Sequence, residues 1–319
     1  MQKNKIYVVL LLCTLMFNAF TQNKTPYVFK LQDKYAKKTI RKYLEHDTLL
    51  KTSGAIIHIS YSSQLNKPYL LLIHGMGGNA RTTWSSQIKE LSKSFNLILP
   101  DLIYFGESTS LSGNYSVEFQ VEQIHEAISS LGIQQPINVL GFSYGGLTAA
   151  IYNQLFQSSV KKLIIMDGPV KFFSAEMADS IANSVGIKGL NNIISPTTIE
   201  GFSALQKLAV SSEFNFPKRI RRKIVNYYFL PYKEVRDKQM NYLIDKKEYY
   251  QSLNYNLDKT TTLLIWGGRD GVIPISVGNA LHNAYPSTTQ MVVFPKAKHD
   301  AHFKATKKFN KAVINFFLN

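Results

Sequence analysis

The chain has 319 residues, of which 45% are hydrophobic, 12% aromatic and 18% charged. This composition supports a sizeable buried core and excludes a wholly disordered chain. The only cysteine is Cys13, so the chain after residue 22 has no disulfide, cysteine–zinc site or thiol nucleophile. The formal net charge of +16 suits acidic partners such as nucleic acid or anionic membranes, depending on where the basic residues lie.

Residues 1–22 have the pattern of a signal peptide. Lys3 and Lys5 precede an apolar run at residues 6–20, which is shorter than the roughly 20 residues of a membrane-spanning helix. We therefore expect export to the periplasm or the medium after cleavage near Gln22, with an uncleaved membrane anchor as the alternative. The next stretch, residues 23–54, is a basic extension whose scattered apolar residues indicate a short amphipathic helix.

Short apolar runs then alternate with helical patterns, as in sheets whose parallel strands are covered on both faces. The runs occupy residues 55–61, 69–74, 96–100, 137–142, 162–167, 261–266 and 290–295. Residues 117–131 carry apolar side chains at helical spacing, with Ser116 as the N-cap and Gly132 at the end. The alternation predicts a mostly parallel, doubly wound α/β core built from residues 55–168 and 260–319.

Residues 169–259 interrupt this alternation and contain no strand pattern. They predict four helices, at residues 171–185, 197–210, 217–230 and 232–250. Ligands bind at the carboxyl edge of the strands in open α/β folds, so we interpret this insertion as a helical cap over that edge.

The densest basic cluster, residues 218–223, lies within the predicted cap. Ile220 and Ile224 would share one helical face, which leaves the basic side chains on the solvated face. We therefore expect no nucleic-acid partner. Peripheral contact of this basic surface with anionic lipid remains an alternative role for the charge.

The motif that carries most chemical information is GFSYG at residues 141–145, which joins a predicted strand to a helical stretch. A serine nucleophile has to stand clear of the sheet, and a sharp turn between two small residues achieves this. Ser143 is the predicted nucleophile. The N–H of Tyr144, at the start of the helix, could donate to an oxyanion.

A serine hydroxyl needs a base and an orienting acid to act as a nucleophile at neutral pH. His299 follows the last predicted strand and is preferred as the base over His302, three residues later. Asp270 follows the preceding strand and is preferred as the acid over Asp167, because its strand leads on to the histidine loop.

A glycine-rich segment, HGMGG at residues 74–78, follows the strand predicted at 69–74. Its glycines would let the Met76 N–H pair with the Tyr144 N–H on an oxyanion. We interpret His74 as structural. The phosphate-loop and dinucleotide-binding motifs are missing from the sequence, which argues against a nucleotide site, and nothing in it implies a metal or organic cofactor.

Together these segments resemble the α/β-hydrolase superfamily over roughly residues 55–319, and its lipase and monoacylglycerol-lipase-like serine hydrolases in particular. Tyr104 departs from the family pattern, which usually has glycine there. The resemblance implies a triad of Ser143, Asp270 and His299, with oxyanion amides at Met76 and Tyr144. Residues that the resemblance suggests for the substrate pocket are His74, Gly75, Phe142 and Trp84.

We therefore expect a serine hydrolase that cleaves a small-molecule carboxylic ester through an acyl-enzyme. A hydrolase of carbon–carbon bonds or an aminopeptidase-type hydrolase could use the same machinery. A non-catalytic ligand-binding homologue is the remaining alternative, and the retention of all three triad candidates argues against it.

Overall fold

The computed structural model describes residues 27–212 and 216–319. The predicted signal peptide, residues 1–22, lies outside this part of the chain. Within it, no helix is both long enough and apolar enough to cross a membrane.

A nine-stranded sheet forms the centre of the described structure. Its strands are β1 (His46–Lys51), β2 (Ala55–Tyr61), β3 (Tyr69–Ile73), β4 (Asn96–Pro100), β5 (Thr109–Ser110), β6 (Ile137–Phe142), β7 (Val160–Met166), β8 (Thr262–Gly267) and β9 (Thr289–Phe294). The spatial order is β1-β2-β4-β3-β6-β7-β8-β9, with β5 beside β2. Neighbours from β4 to β9 pair in parallel, whereas β2 pairs antiparallel with β1, β4 and β5. The predicted mostly parallel α/β sheet is confirmed.

Helices cover both faces of the sheet. Those before the insertion are α1 (Tyr27–Tyr43), α2 (Ala80–Trp84), α3 (Ile88–Leu91), α4 (Val117–Ser130) and α5 (Tyr144–Leu155). Strand β3 shows the division between the two cores. Leu71 and Ile73 belong to the core under α4 and α5, while Leu70 and Leu72 belong to the core under α1, α2 and α3. Alternate side chains of a strand point to opposite faces, and a doubly wound fold buries both faces.

The stretch predicted as a cap lies between β7 and β8 and is helical. Its helices are α6 (Ala175–Ser184), α7 (Asn191–Ile194), α8 (Ile199–Ala209), α9 (Lys218–Ile224), α10 (Lys233–Asp245) and α11 (Lys247–Ser252). A π-helical turn, Val225–Phe229, interrupts the third predicted helix. After β8 come α12 (Ile275–Ala284), α13 (Ala301–Lys304) and α14 (Thr306–Leu318).

The basic extension contributes more to the fold than its composition suggests. Helix α1 is amphipathic, as predicted, and β1 adds an edge strand to the sheet by pairing antiparallel with β2. Strands β1 and β5 were not predicted from the sequence. Both have largely exposed or half-exposed side chains, so they lack the continuous apolar run that marks a buried strand.

Helix α1 gives a direct test of this packing. Ile40 is fully buried among the residues under α2 and α3, whereas Tyr35 on the same helix is 66% exposed. We expect Ile40→Ala to lower the free energy of unfolding by about 2–5 kcal/mol, because it leaves a cavity in the core. The matched control Tyr35→Ala should change it by about 0.5 kcal/mol or less. Urea denaturation of both variants measures the difference, and equal effects would show that α1 does not pack as described.

Candidate active site

Ser143 lies at the turn between β6 and α5. Its backbone has φ +57° and ψ −123°, a strained conformation for a residue with a side chain. Space at this turn is tight on two sides. A Cβ at Gly141 of β6 would clash with the Gly145 carbonyl group of α5, and a Cβ at Gly145 would clash with the His74 carbonyl group at the end of β3. The Ser143 N–H donates to the Met166 carbonyl oxygen over 2.8 Å and ties the turn to β7.

The loop after β3 brings a second backbone amide near the serine. Gly75 packs so closely that a Cβ there would lie 3.1 Å from the Ser143 Cβ, and Gly77 has φ +93°, which glycine adopts freely. Among the described residues, neither the Met76 N–H nor the Tyr144 N–H donates a hydrogen bond. Both residues line the same cavity as Ser143, so their amides are available to a negatively charged oxygen.

Buried hydrogen bonds hold this loop in place. His74 Nε2 accepts the Leu102 N–H over 2.9 Å, and His74 Nδ1 donates to the Gly75 carbonyl oxygen over 2.8 Å. Acceptance at Nε2 requires a neutral ring, and burial lowers the pKa of His74. Asp101 accepts the Ala80 N–H over 2.9 Å at the start of α2, where a carboxylate is favoured. His74 therefore supports the loop and has no free ring nitrogen to act as a base.

His299 and Asp270 form a hydrogen-bonded pair. His299 Nδ1 lies 2.6 Å from Asp270 Oδ2, and the two residues are 9% and 8% exposed. Asp270 Oδ1 accepts the N–H groups of Val272 and Ile273 over 2.8 and 3.0 Å. Pairing through Nδ1 leaves Nε2 of His299 as the ring nitrogen for proton transfer, and His299 lines the cavity that Ser143 also lines.

Asp167, the alternative acid, lies beside this pair at the end of β7. Its Oδ1 accepts the Gly267 N–H over 2.9 Å. One carboxylate oxygen of Asp167, one of Asp270 and one ring nitrogen of His299 lie within 4.8 Å of one another, a spacing that could also hold a metal ion. Asp270 and His299, however, already share a hydrogen bond between Oδ2 and Nδ1. The arrangement thus has the bonding of an acid–base group, with Asp270 in contact with the histidine.

The imidazole ring of His302, the alternative base, has no hydrogen-bond partner among the described residues. It is 1% exposed, both of its ring nitrogens lack a hydrogen bond, and its ring packs against Trp84, Phe142 and Phe303 at centroid distances of 5.7, 4.7 and 4.1 Å. Burial, and to a lesser degree the neighbouring His299, lowers the pKa of His302 to about 3. His302 is thus a neutral core residue.

A cavity of about 500 Å³ opens beside Ser143 and is lined mainly by apolar side chains. It lies between the sheet edge and the helical insertion. Its apolar lining includes Phe173, Ile194, Leu205, Phe229, Met240 and Leu243 from the insertion, and Leu147, Val272 and Ile273 from the core. A largely apolar cavity of this size with a few polar groups at one point is typical of small-molecule sites.

The insertion also holds the two loops that carry the acid and the base. Ser211, beyond the end of α8, donates its N–H to the Asp300 carboxylate over 2.9 Å, and its Oγ bonds the same carboxylate. Ser211 Oγ also accepts the Lys298 N–H over 2.8 Å. In the acid loop, the Gly271 N–H donates to the Leu208 carbonyl oxygen over 3.2 Å. Both loops are therefore tied to the insertion and not only to the sheet.

Comparison with known proteins decides the family. A family model described as the alpha/beta hydrolase fold matches residues 68–306. The chain belongs to the α/β hydrolase fold family. It is 25% identical over 258 residues to human monoacylglycerol lipase ABHD6, covering 79% of this chain and 75% of that protein. It is also 25% identical over 297 residues to Lipase 1 of Psychrobacter immobilis, covering 90% of this chain and 86% of the relative.

A solved structure shows the same fold over nearly the whole chain. The putative lipase of Acinetobacter baumannii AYE superposes with a TM-score of 0.73 at 22% identity, covering 94% of this chain and 98% of that one. The family model and the lipase relatives confirm the resemblance inferred from the motifs and the expectation that the protein is a hydrolase, and the solved structure agrees in fold.

Of the residues predicted for the hydrolase site, most meet at this cavity. Those that line it are Ser143, His299, Met76, Tyr144 and Phe142. Asp270 lies behind His299, and Gly75 packs under Ser143. Trp84 and His74, predicted for the pocket, do not line it. Both are fully buried, Trp84 beside His302 in the core and His74 beneath the glycine-rich loop.

Sequence reasoning missed the contacts of Ser211 and Asp300 and the proximity of Asp167 to Asp270. No motif marks Ser211, which follows a cap helix. Asp167 and Asp300 did carry a signal in the sequence. Asp167 directly follows a strand, and Asp300 lies beside His299 in the loop after the last strand, where functional groups collect in α/β folds.

The buried His302 predicts a pH dependence of stability. Its folded-state pKa of about 3 lies below the ordinary value of 6.5, so the unfolded chain takes up a proton first as the pH falls. Stability should therefore decrease from pH 6.5 towards pH 3, by up to about 1.4 kcal/mol per pH unit for this one proton. In His302→Leu, a change to an apolar side chain of similar volume, this decrease should be shallower.

Urea denaturation between pH 7.5 and 4 measures both curves. At pH 7.5 the free energy of unfolding of the leucine variant should be no more than about 1 kcal/mol below that of wild type. The substitution removes two unpartnered polar atoms from the core, which offsets any loss in packing. Parallel curves for the two proteins would show that His302 does not contribute to the acid sensitivity.

Proposed function

We propose that this hydrolase cleaves carboxylic esters, with Ser143 as nucleophile, His299 as base and Asp270 as the acid that orients the base. The observation that carries the proposal is that Ser143 and His299 line one apolar cavity while Asp270 accepts a hydrogen bond from His299 Nδ1. The similarity to proteins named as lipases supports an ester as the scissile group.

In the first half of the reaction, His299 Nε2 takes the proton of Ser143 as its Oγ attacks the acyl carbonyl carbon. The imidazolium that forms is stabilised by the buried Asp270 carboxylate. The negative charge that develops on the carbonyl oxygen is met by the N–H groups of Met76 and Tyr144. Each such donor lowers the barrier by roughly 3 kcal/mol.

The tetrahedral intermediate then collapses, and His299 gives its proton to the departing alcohol. The acyl group remains on Ser143 as an ester. A water molecule, deprotonated by His299 Nε2, attacks this ester, and the same two amides hold the second oxyanion. Release of the carboxylic acid returns Ser143 and neutral His299, so the cycle consumes one water and needs no other co-reactant.

The cavity favours an ester with an apolar acyl group. Burying apolar surface contributes about 25 cal/mol per Å², so each methylene of an acyl chain that enters this cavity adds to binding. Because most of the lining residues belong to the insertion, with α6, α10 and α11 contributing three each, the insertion would set the preferred chain length.

The first test removes the nucleophile. Ser143→Ala should lower kcat for a soluble p-nitrophenyl ester by about 10⁴-fold or more, because no acyl-enzyme can form. The thermal unfolding midpoint should stay close to that of wild type, and a fluorophosphonate probe should label wild type but not the variant. Ser195→Ala is the matched control, since Ser195 is a buried insertion serine outside the cavity lining.

Each outcome of this test has a clear meaning. Near wild-type activity in Ser143→Ala would rule out the proposed mechanism. Turnover of vinylogous diketones or aminoacyl amides in preference to esters, still dependent on Ser143, would keep the nucleophile and replace the substrate class.

The second test narrows the cavity. Leu243 on α10 lines it, so Leu243→Trp should fill space that a long acyl chain needs. We expect kcat/KM for an ester with a long acyl chain to fall by about 10-fold or more. For the acetyl ester of the same alcohol, kcat/KM should change by about 3-fold or less. Leu230→Trp is the control, because Leu230 is 42% exposed and outside the cavity lining. Equal losses for short and long esters in Leu243→Trp would contradict the assignment of the acyl site.

A further inference from the structure

Asp167 is a buried carboxyl group that the proposed mechanism does not use. It is 0% exposed and follows the last residue of β7. Its N–H donates to the Ile265 carbonyl oxygen over 3.0 Å, and its Oδ1 accepts the Gly267 N–H over 2.9 Å. Its φ of +46° lies in the left-handed region, which residues other than glycine adopt at a cost. The backbone and one oxygen are thus fixed by β8, so the carboxyl group has a defined orientation.

The carboxyl group of Asp167 lies close to a second buried carboxyl group, that of Asp270. Among the described residues, no N–H or O–H group donates to Asp167 Oδ2. One oxygen of each of these two carboxyl groups and one ring nitrogen of His299 all lie within 4.8 Å of one another. Two ionised carboxylates this close in a buried site repel each other, whereas one proton between them makes a hydrogen bond.

The surroundings of the two carboxyl groups decide which of them holds the proton. Asp270 accepts three hydrogen bonds, from His299 and from the amides of Val272 and Ile273, and is therefore suited to carry the negative charge. Asp167 accepts one. Burial first, and then the charge of Asp270, raises the pKa of Asp167 well above its usual range.

We propose that Asp167 is a neutral carboxylic acid that donates its proton in a hydrogen bond to Asp270, and that through Asp270 it sets the basicity of His299. This inference rests on the proposed function, because it assigns a positioning residue to the same reaction. Asp167 is not among the residues that line the cavity, so it acts through Asp270 and not on the substrate.

The hydrogen bond from Asp167 should affect the histidine in a definite direction. It draws negative charge away from the oxygen of Asp270 that faces His299, so the imidazolium is stabilised less than by an unshared carboxylate. The hydrogen bond from Asp167 should therefore extend the acid limb of the pH–activity profile to lower pH. The other charged group that acts on Asp167 is Asp300, whose carboxylate is bonded to Ser211.

The test compares two variants of the full chain by their pH profiles of kcat/KM for a soluble ester. Asp167→Asn keeps both side-chain hydrogen bonds of the proposed arrangement. Its amide N–H can donate to Asp270 while its oxygen accepts the Gly267 N–H. We expect activity within about 3-fold of wild type and an acid limb within about 0.3 pH units. Asp167→Leu removes the donor, so its acid limb should move up by about 0.5–1 pH units and kcat should fall by about 10-fold.

Asp167→Asn decides the question even if Asp167→Leu fails to fold. If Asp167 is ionised, Asn removes a negative charge beside the imidazolium, and the acid limb should move down by about one pH unit with a fall in kcat of about 10-fold or more. That result would overturn the proposal. So would a wild-type profile in folded Asp167→Leu. Asp258→Asn, which neutralises an exposed aspartate before β8, is the matched control and should leave the profile unchanged.

A second readout does not depend on turnover. Wild type should show the infrared carbonyl band of a protonated, buried carboxylic acid, and this band should be lost in Asp167→Asn. Its absence from wild type would contradict the proposal. If instead wild type does not hydrolyse esters, or if Ser143→Ala remains active, the proposed function fails, while the infrared result still reports the proton on Asp167.

Discussion

The close packing of β6, α5 and the end of β3 at Gly141 and Gly145 is the constraint on which the candidate active site depends. A Cβ at Gly141 would clash with the Gly145 carbonyl group, and a Cβ at Gly145 would clash with the carbonyl groups of Ile73 and His74. Ser143 adopts a strained conformation at the turn between these segments. The strain is held by surrounding structure, including the hydrogen bond to β7 and the loop beneath. The same turn exposes the first amide of α5, so one local geometry provides both the proposed nucleophile and half of the proposed oxyanion site.

The parallel order of the strands explains why the remaining groups meet at this turn. The carboxyl ends of β3, β6, β7, β8 and β9 lie along one edge, and each is followed by one element of the site. The helical insertion closes this edge with apolar side chains and bonds to the loops of Asp270 and His299. A displacement of the insertion would therefore affect both the shape of the cavity and the position of the acid–base pair.

Several parts of this arrangement could be predicted from the sequence because they depend on local patterns. Strands β2, β4 and β6 begin and end where their apolar runs do, since both of their faces are buried. The edge strands β1 and β5 have no such run and were missed. Tyr104 shows how a departure from a family pattern can be explained: its φ is +73°, a conformation that glycine adopts without cost, and its ring stacks on Tyr115 at 4.8 Å.

By itself, the sequence determined the class of fold, the nucleophile motif and the chain order of acid and base, because these depend on periodicity and on residue types in a short segment. Only the tertiary structure decided which carboxylate bonds His299, since Asp167 and Asp270 both follow strands and differ in the partners that long-range packing brings to them. It likewise separated His299, which bonds Asp270 and lines the cavity, from His302, whose ring has no hydrogen-bond partner among the described residues, and it placed Trp84 in the core. Contacts between residues far apart in the chain set burial and hydrogen bonding, and those two quantities fix the charge and the role of each group.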